Sequence, residues 1–247
     1  MRYCNAIAKV LIVSLLLFLS TVMTGQERGD YQNYMEQAGD ASLLYRGREA
    51  GKYNLAYNGT YYWDHYGFRK GDLLYNGKWY RDVELNVDAY IDEVILRHSV
   101  VMIVLNKECI ERFSVGDNDF IVLHEDLYGV SSGIYQVVHE GKTLMVKKVR
   151  KEFVANNVNA HNGDMIGYDD PHWKSNVFAY FTPIVNYYLV KDGKAVKVRN
   201  GYAIARQFPE HKRQVRKYAN RMNISPSENY ELYCATLLKY AESLDNE

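Results

Sequence analysis

The sequence predicts a mainly β protein: an antiparallel β-sandwich or incomplete barrel with a C-terminal α-helical hairpin. Three observations carry this. Turn-forming tripeptides recur between strand-like runs, at Asn76-Gly77-Lys78, Glu140-Gly141-Lys142 and Asp192-Gly193-Lys194. The flanking runs alternate apolar and polar residues with the period of two that a half-buried strand requires. Beyond residue 200 the apolar spacing changes to that of helices, with no helical pattern interrupting the strands before it.

The chain opens with Arg2 and Lys9 ahead of a run, Val10 to Leu19, that is apolar except for Ser14, followed by the small residues Thr24 and Gly25. This reads as a secretory signal peptide over 1–25, too short to span a bilayer, with a mature chain starting near Gln26. The only cysteine in that stretch, Cys4, precedes the apolar core, which argues against a lipid anchor. Tyr31, Tyr34, Met35 and Ala38 fall on one helical face and predict a short helix over the end of the sheet. "NGTYYWDHYGF" reads as an aromatic strand, and its Asn58-Gly59-Thr60 is a glycosylation sequon where the source uses one.

The β domain is expected over 26–200. Its hairpins pair "GDLLY" with "KWYRDVELNV", "GIYQVVH" with "KTLMVKKVR", and "VNYYLVK" with "KAVKVR". Glycine supplies the positive φ of tight hairpin turns, and Asn or Asp before it tolerates the same region. "EVILRHSVVMIVL" and "NDFIVLHED" add further short strands between the first two hairpins. The helical hairpin is expected over 201–247, packed on the sheet. Pro209 is placed like a first helical residue, with Val215, Tyr218, Ala219 and Met222 at helical spacing after it. Ser225-Pro226-Ser227-Glu228 reads as a capping box, followed by the stripe Tyr230, Tyr233, Leu237, Ala241 and Leu244. The first helix carries Lys212, Arg213, Arg216, Lys217 and Arg221, and the second carries Glu228, Glu231, Glu242, Asp245 and Glu247. Their opposite charges favour packing the two side by side.

Composition narrows the function classes. The 30 basic and 30 acidic residues become 28 and 30 without Arg2 and Lys9, a balance with no global field for nucleic acid. The mature cysteines, Cys109 and Cys234, permit a disulfide without requiring one, because buried free cysteine is a common apolar filler. The 23 tyrosines, against eight phenylalanines and three tryptophans, suit half-buried strands and also suit sugar binding.

Carboxylates gather in "LLYNGKWYRDVELNVDAYIDEVIL", but Val83, Leu85 and Val87 alternate with Glu84, Asn86 and Asp88. The acids therefore read as the wet face of a strand, and Asp92 and Glu93 as the turn after it, in preference to a catalytic pair. "NAHNGDMIGYDDPHWKSN" brings together His161, Asp164, Asp169, Asp170 and His172 at spacings that match no metal motif, and it sits where a hairpin loop must be polar. The candidate binding residues are Trp173, Tyr168 and His172 there, with Trp63 in a second cluster of Tyr61, Tyr62, Tyr66, Trp79 and Tyr80. Sheet packing is the simpler reading of that second cluster. No nucleophile elbow, phosphate-binding loop or dinucleotide fingerprint is present. No catalytic residue, metal site or cofactor is expected.

The segments "SLLYRGREAGKYNLAYNGTYYW", "GDLLYNGKWYRDVELNVDAY" and "QFPEHKRQVRKYANRMNIS" resemble a group of secreted, uncharacterised β-rich proteins common in Bacteroidota, over Leu43 to Met222. Val87 stands where that pattern has isoleucine or tyrosine. The resemblance implies export to the periplasm or outer-membrane surface of a Gram-negative bacterium, and it carries no activity. It also makes Asp88 and Gly77 look like fold elements. The expected function is that of an exported, non-enzymatic cell-envelope protein acting as a structural or protein-binding component, with an envelope protein or polysaccharide as its partner. A glycan-binding module using exposed Tyr and Trp is the alternative, and a hydrolase or metal-dependent enzyme the third reading.

Overall fold

The computed structural model describes residues 42–51, 53, 57–65, 67–127, 129–156, 178–191 and 193–245. The expected helix around Tyr31 and Tyr34 lies outside them. In the N-terminal unit, which ends at Arg46, the described residues form one 3-10 turn, Leu43–Tyr45, with the Ser42 hydroxyl accepting from the Leu44 amide.

The second unit, from Gly47 onward, is mainly β. Eleven antiparallel strands form one open sheet: β1 (Arg48–Glu49), β2 (Arg69–Tyr75), β3 (Lys78–Asp88), β4 (Glu93–His98), β5 (Val101–Val104), β6 (Ile110–Val115), β7 (Asn118–Leu123), β8 (Gly133–Glu140), β9 (Leu144–Asn156), β10 (Phe178–Lys191) and β11 (Lys194–Val198). The order is β1-β5-β4-β3-β2-β6-β7-β8-β9-β10-β11. The chain thus runs one meander from β2 to β5, returns to pair β6 with β2, and runs a second meander from β6 to β11.

The first tight turn forms as its sequence requires. Tyr75 pairs with Lys78, and Asn76 and Gly77 both take positive φ, at 54° and 71°, the twist that matches a two-residue hairpin. Lys191 likewise pairs with Lys194, with Gly193 at φ 71°. The middle turn differs from expectation. Glu140 pairs with Leu144, so three residues make the loop and Gly141 does not use the left-handed region.

The aromatic segment expected as a strand is irregular, and it joins distant strands instead. Asn58 exchanges backbone bonds with Ala179 and Phe181 at the start of β10. Further along, Trp63 N–H donates to the Val87 carbonyl and Ala89 N–H to the Tyr61 carbonyl, beyond where β2 stops covering β3. The Lys151 amide of β9 also donates to the Ala89 carbonyl. Five rings, Tyr53, Tyr57, Tyr61, Tyr90 and Phe153, surround Phe181 with centroids 5.0 to 5.8 Å away. Four of the tyrosines thus pack in one cluster around Phe181.

This segment overturns the wet-face reading of β3. Val83, Leu85 and Val87 are buried as expected, but so are Asn86 and Asp88, while Glu84 stays half-exposed. Asn86 donates to the carbonyls of His65 and Gly67, so the polar side of the strand's last residues lies beneath the chain that leads into β2. Alternation reports one covered face only where the other meets water.

Three helices follow: α1 (Gly201–Ala205), α2 (Lys212–Ala219) and α3 (Tyr230–Leu244). They share a core with the last strands, in which Met145, Leu189 and Val198 meet Ile204, Phe208, Val215, Leu237 and Leu238. Pro209 lies in the turn before α2, which begins at Lys212 after His211. The Ser225–Glu228 stretch is an isolated turn in place of a capping box; α3 starts at Tyr230, capped by the Asn229 side chain on the Leu232 amide. Among the described residues no helix is long and apolar enough to cross a membrane. Both Cys109 and Cys234 are free thiols.

Candidate functional site

The stretch holding Tyr168, His172 and Trp173, with His161, Asp164, Asp169 and Asp170, lies outside the described residues, as does Tyr66. Trp63 is half-buried. Its ring meets Phe120 edge-on at 5.2 Å, Lys147 Nζ sits 5.5 Å from its centroid, and its indole N–H is buried without a partner among the described residues. Trp79 carries the Arg81 guanidinium 4.5 Å above its ring, while Tyr80 meets Tyr75. The structure therefore does not gather Trp63, Trp79 and Tyr80 into one aromatic platform.

Three buried or half-buried charge clusters stand out, and in each the groups satisfy one another. The Asp88 carboxylate accepts from the Tyr53 hydroxyl at 2.8 Å and from the amides of Tyr90 and Ile91 at 2.9 and 3.2 Å. Burial raises its pKa, and those three bonds partly oppose the rise. The arrangement closes the turn after β3.

Asp92, expected to be a solvated turn residue, accepts from Lys148 of β9 at 2.5 Å and from Lys107 at 3.1 Å. Burial lowers the Lys148 pKa, with Asp92 opposing that shift. The third cluster runs along α3. Glu231 accepts from Lys147 at 2.6 Å and from the Tyr187 hydroxyl at 3.2 Å, while Glu242 accepts from the Thr143 hydroxyl and amide at 2.6 and 2.8 Å. His139 Nε2 lies 3.1 Å from Glu242 as well. Among the described residues no group of three His, Cys, Asp or Glu side chains is arranged to hold a metal ion.

That third cluster alters the charge arrangement read from the sequence. Eleven residues separate Glu231 from Glu242, about three helical turns, so both face the same way, and they face the sheet. Asp245 at the end of α3 lies 3.6 Å from His211 just before α2, but among the described residues no acid of that segment pairs with the basic residues of α2 itself. Lys212, Arg213, Arg216 and Lys217 of α2 are exposed, while Val215 is buried. From Lys194 to Arg221 the chain holds nine basic residues (Lys194, Lys197, Arg199, Arg206, Lys212, Arg213, Arg216, Lys217 and Arg221) and one acid, Glu210. None of the cations on α2 makes an ion pair among the described residues; Arg216 instead lies 4.6 Å above the ring of Tyr202.

Beside this face is a pocket of about 170 Å³, lined by Arg199, Tyr202, Arg216, Asn220, Tyr230 and Tyr233 among others. Arg199 and Arg216 are among its lining residues, and among the described residues no acidic side chain is. The turn from β11 into α1 supplies Arg199 and α1 supplies Tyr202, with the Asn200 side chain capping α1 through the Ala203 amide. Helix α2 supplies Arg216 and, just past its end, Asn220. The surface can hold an anion by charge and a flat apolar group by ring contact. Sequence reading missed the pocket because Arg199, Arg216 and Tyr230 belong to three separate elements. The run of cations was the only visible signal, and the acids of α3 seemed to answer it.

No protein-family model, curated protein or solved structure matches this chain.

Proposed function

We propose that the protein is an exported, non-enzymatic component of a Gram-negative cell envelope that works by binding an acidic envelope partner through the basic face of α2. One observation carries the reading: α3 spends Glu231 and Glu242 on the sheet, so a face with four exposed cations stays uncompensated in a chain whose total charge balances. The apolar leader over 1–25 and the resemblance to secreted β-rich proteins of Bacteroidota support export, to the periplasm or the outer-membrane surface. We read the open sheet as an incomplete barrel, because the 57–63 segment and the Asp92–Lys148 pair tie its two meanders together, and α2 with α3 as the helical hairpin that covers β8 to β11. The mutual satisfaction of the buried carboxylates favours binding over catalysis.

The test is affinity co-purification of the mature protein from solubilised host envelope, with bound protein and carbohydrate both identified. An acid-rich component retained by the native protein and lost from a Lys212→Gln/Arg213→Gln/Lys217→Gln variant of unchanged melting temperature is the expected result. Equal retention by both proteins would overturn the role of this face. Hydrolytic activity abolished by Asp88→Asn would overturn the non-enzymatic reading.

A further inference from the structure

We propose that the pocket between the β11–α1 turn and α2 is a subsite for one carboxylate-bearing sugar unit of an acidic polysaccharide. This rests on the binding role argued above and names the chemistry of the partner. Arg199, between β11 and α1, and Arg216 of α2 line the same concavity, and among the described residues no acidic side chain lines it. A guanidinium is a planar fork of donors that matches a carboxylate with two parallel hydrogen bonds, and it keeps its charge at any physiological pH.

The rest of the lining suits a sugar ring. Tyr202, Tyr230 and Tyr233 supply flat apolar area, and the amide of Asn220 can both donate and accept towards ring hydroxyls. The volume of about 170 Å³ falls below the roughly 300 Å³ of the smallest sites for drug-sized ligands, so it accommodates one compact unit. A nucleotide, with base, sugar and phosphate together, exceeds that space. Tyr202 is 49% exposed, so its ring remains reachable beneath Arg216.

A polymer fits better than a free monosaccharide. Lys212, Arg213 and Lys217 continue the basic face of α2 beyond the pocket, where neighbouring acidic units would pass. A lipid bilayer fits less well. The opposite side of α2, with Val215, Tyr218 and Ala219, packs into the core and offers nothing to insert among acyl chains.

The experiment is calorimetric titration of the full mature chain with a galacturonic acid decamer, a neutral glucose decamer and a thymidine decanucleotide. Two variants accompany it: Arg199→Gln/Arg216→Gln within the pocket and Lys212→Gln/Arg213→Gln outside it, each checked by thermal melting. The acidic sugar alone should bind the native protein well. Its affinity should fall at least tenfold in the pocket variant and about two- to threefold in the other, and Tyr202→Ala should also weaken it. Equal losses in both double variants, with Tyr202→Ala neutral, would overturn the pocket and leave the basic face as a diffuse electrostatic surface. Equal affinity for the thymidine oligomer would overturn the carbohydrate assignment. Absence of binding to any acidic oligomer would overturn the inference, and a protein partner recovered from envelope would then show that the broader binding role survives without it.

Discussion

Asp88 and Glu242 are both carboxylates held by three neighbouring groups, yet they respond to pH in opposite directions. Burial raises the Asp88 pKa above its ordinary 3.8, so the folded protein binds that proton more tightly than the unfolded chain does. Its contribution to stability is greatest below 3.8 and declines as the pH climbs through the folded value. Burial also pushes Glu242 upward, but the Thr143 hydroxyl and amide, with His139, outweigh it and hold the pKa below 4.5. That stability is complete above 4.5 and is lost as the pH falls through the folded value. Urea melts from pH 3 to 7 should therefore show Glu242→Gln flattening the acid-side loss, and Asp88→Asn removing a decline on the way up. Asp88→Ala, which orphans the Tyr53 hydroxyl and two amides, should cost about 1–3 kcal/mol. Burial pushes the Cys234 thiol up to about 12. In protein lacking residues 1–25 a thiol reagent at pH 8 should accordingly modify Cys109 alone until denaturant exposes Cys234, and rapid labelling of both in native protein would refute this.

Among the elements, β2 and α3 make the clearest demands. Gly71 marks the register shift in β2, and a Cβ there would meet the Ser114 carbonyl oxygen at 1.9 Å. Gly77 needs only its positive φ, with open space around a Cβ. Gly77→Ala should thus cost about 1–2 kcal/mol for a left-handed alanine, whereas Gly71→Ala displaces the backbone of β6 and should cost more. Denaturation midpoints of the two variants decide the order. In α3, Leu237 is fully buried between the sheet and α1, and Leu237→Ala should cost about 2–5 kcal/mol by the cavity it leaves. The helix turns its acids to the same side, so its attachment combines apolar contact with the Glu231 and Glu242 bonds.

Across the whole molecule, charge is uneven although its sum is zero. The cations between Lys194 and Arg221 collect on the helical side, while many remaining charges pair locally, as Arg97 does with Glu84 and Arg112 with Glu140. Exposed pairs of that kind contribute about 0–1 kcal/mol and are screened by salt. An uncompensated face is different, since it acts at a distance of about 10 Å in 0.1 M salt. Retention on a cation-exchange resin should therefore exceed what the net charge allows, and the Lys212→Gln/Arg213→Gln/Lys217→Gln variant should elute earlier at the same pH.

Local chemistry determined the mainly β class, the turns at Gly77 and Gly193, and the helical tail, because turn φ and apolar period act over a few neighbouring residues. The short helix α1 escaped notice, since five residues of "GYAIA" carry no full period. The burial of Asp88 depended on the 57–63 segment returning across the end of β3, a contact between residues some thirty positions apart. The fate of the two acidic residues of α3 likewise depended on which surface the helix met. The sequence by itself therefore determined which segments would become strands and helices. Only the tertiary structure decided which charges were neutralised and which were left facing outward, because pairing is settled by proximity in space.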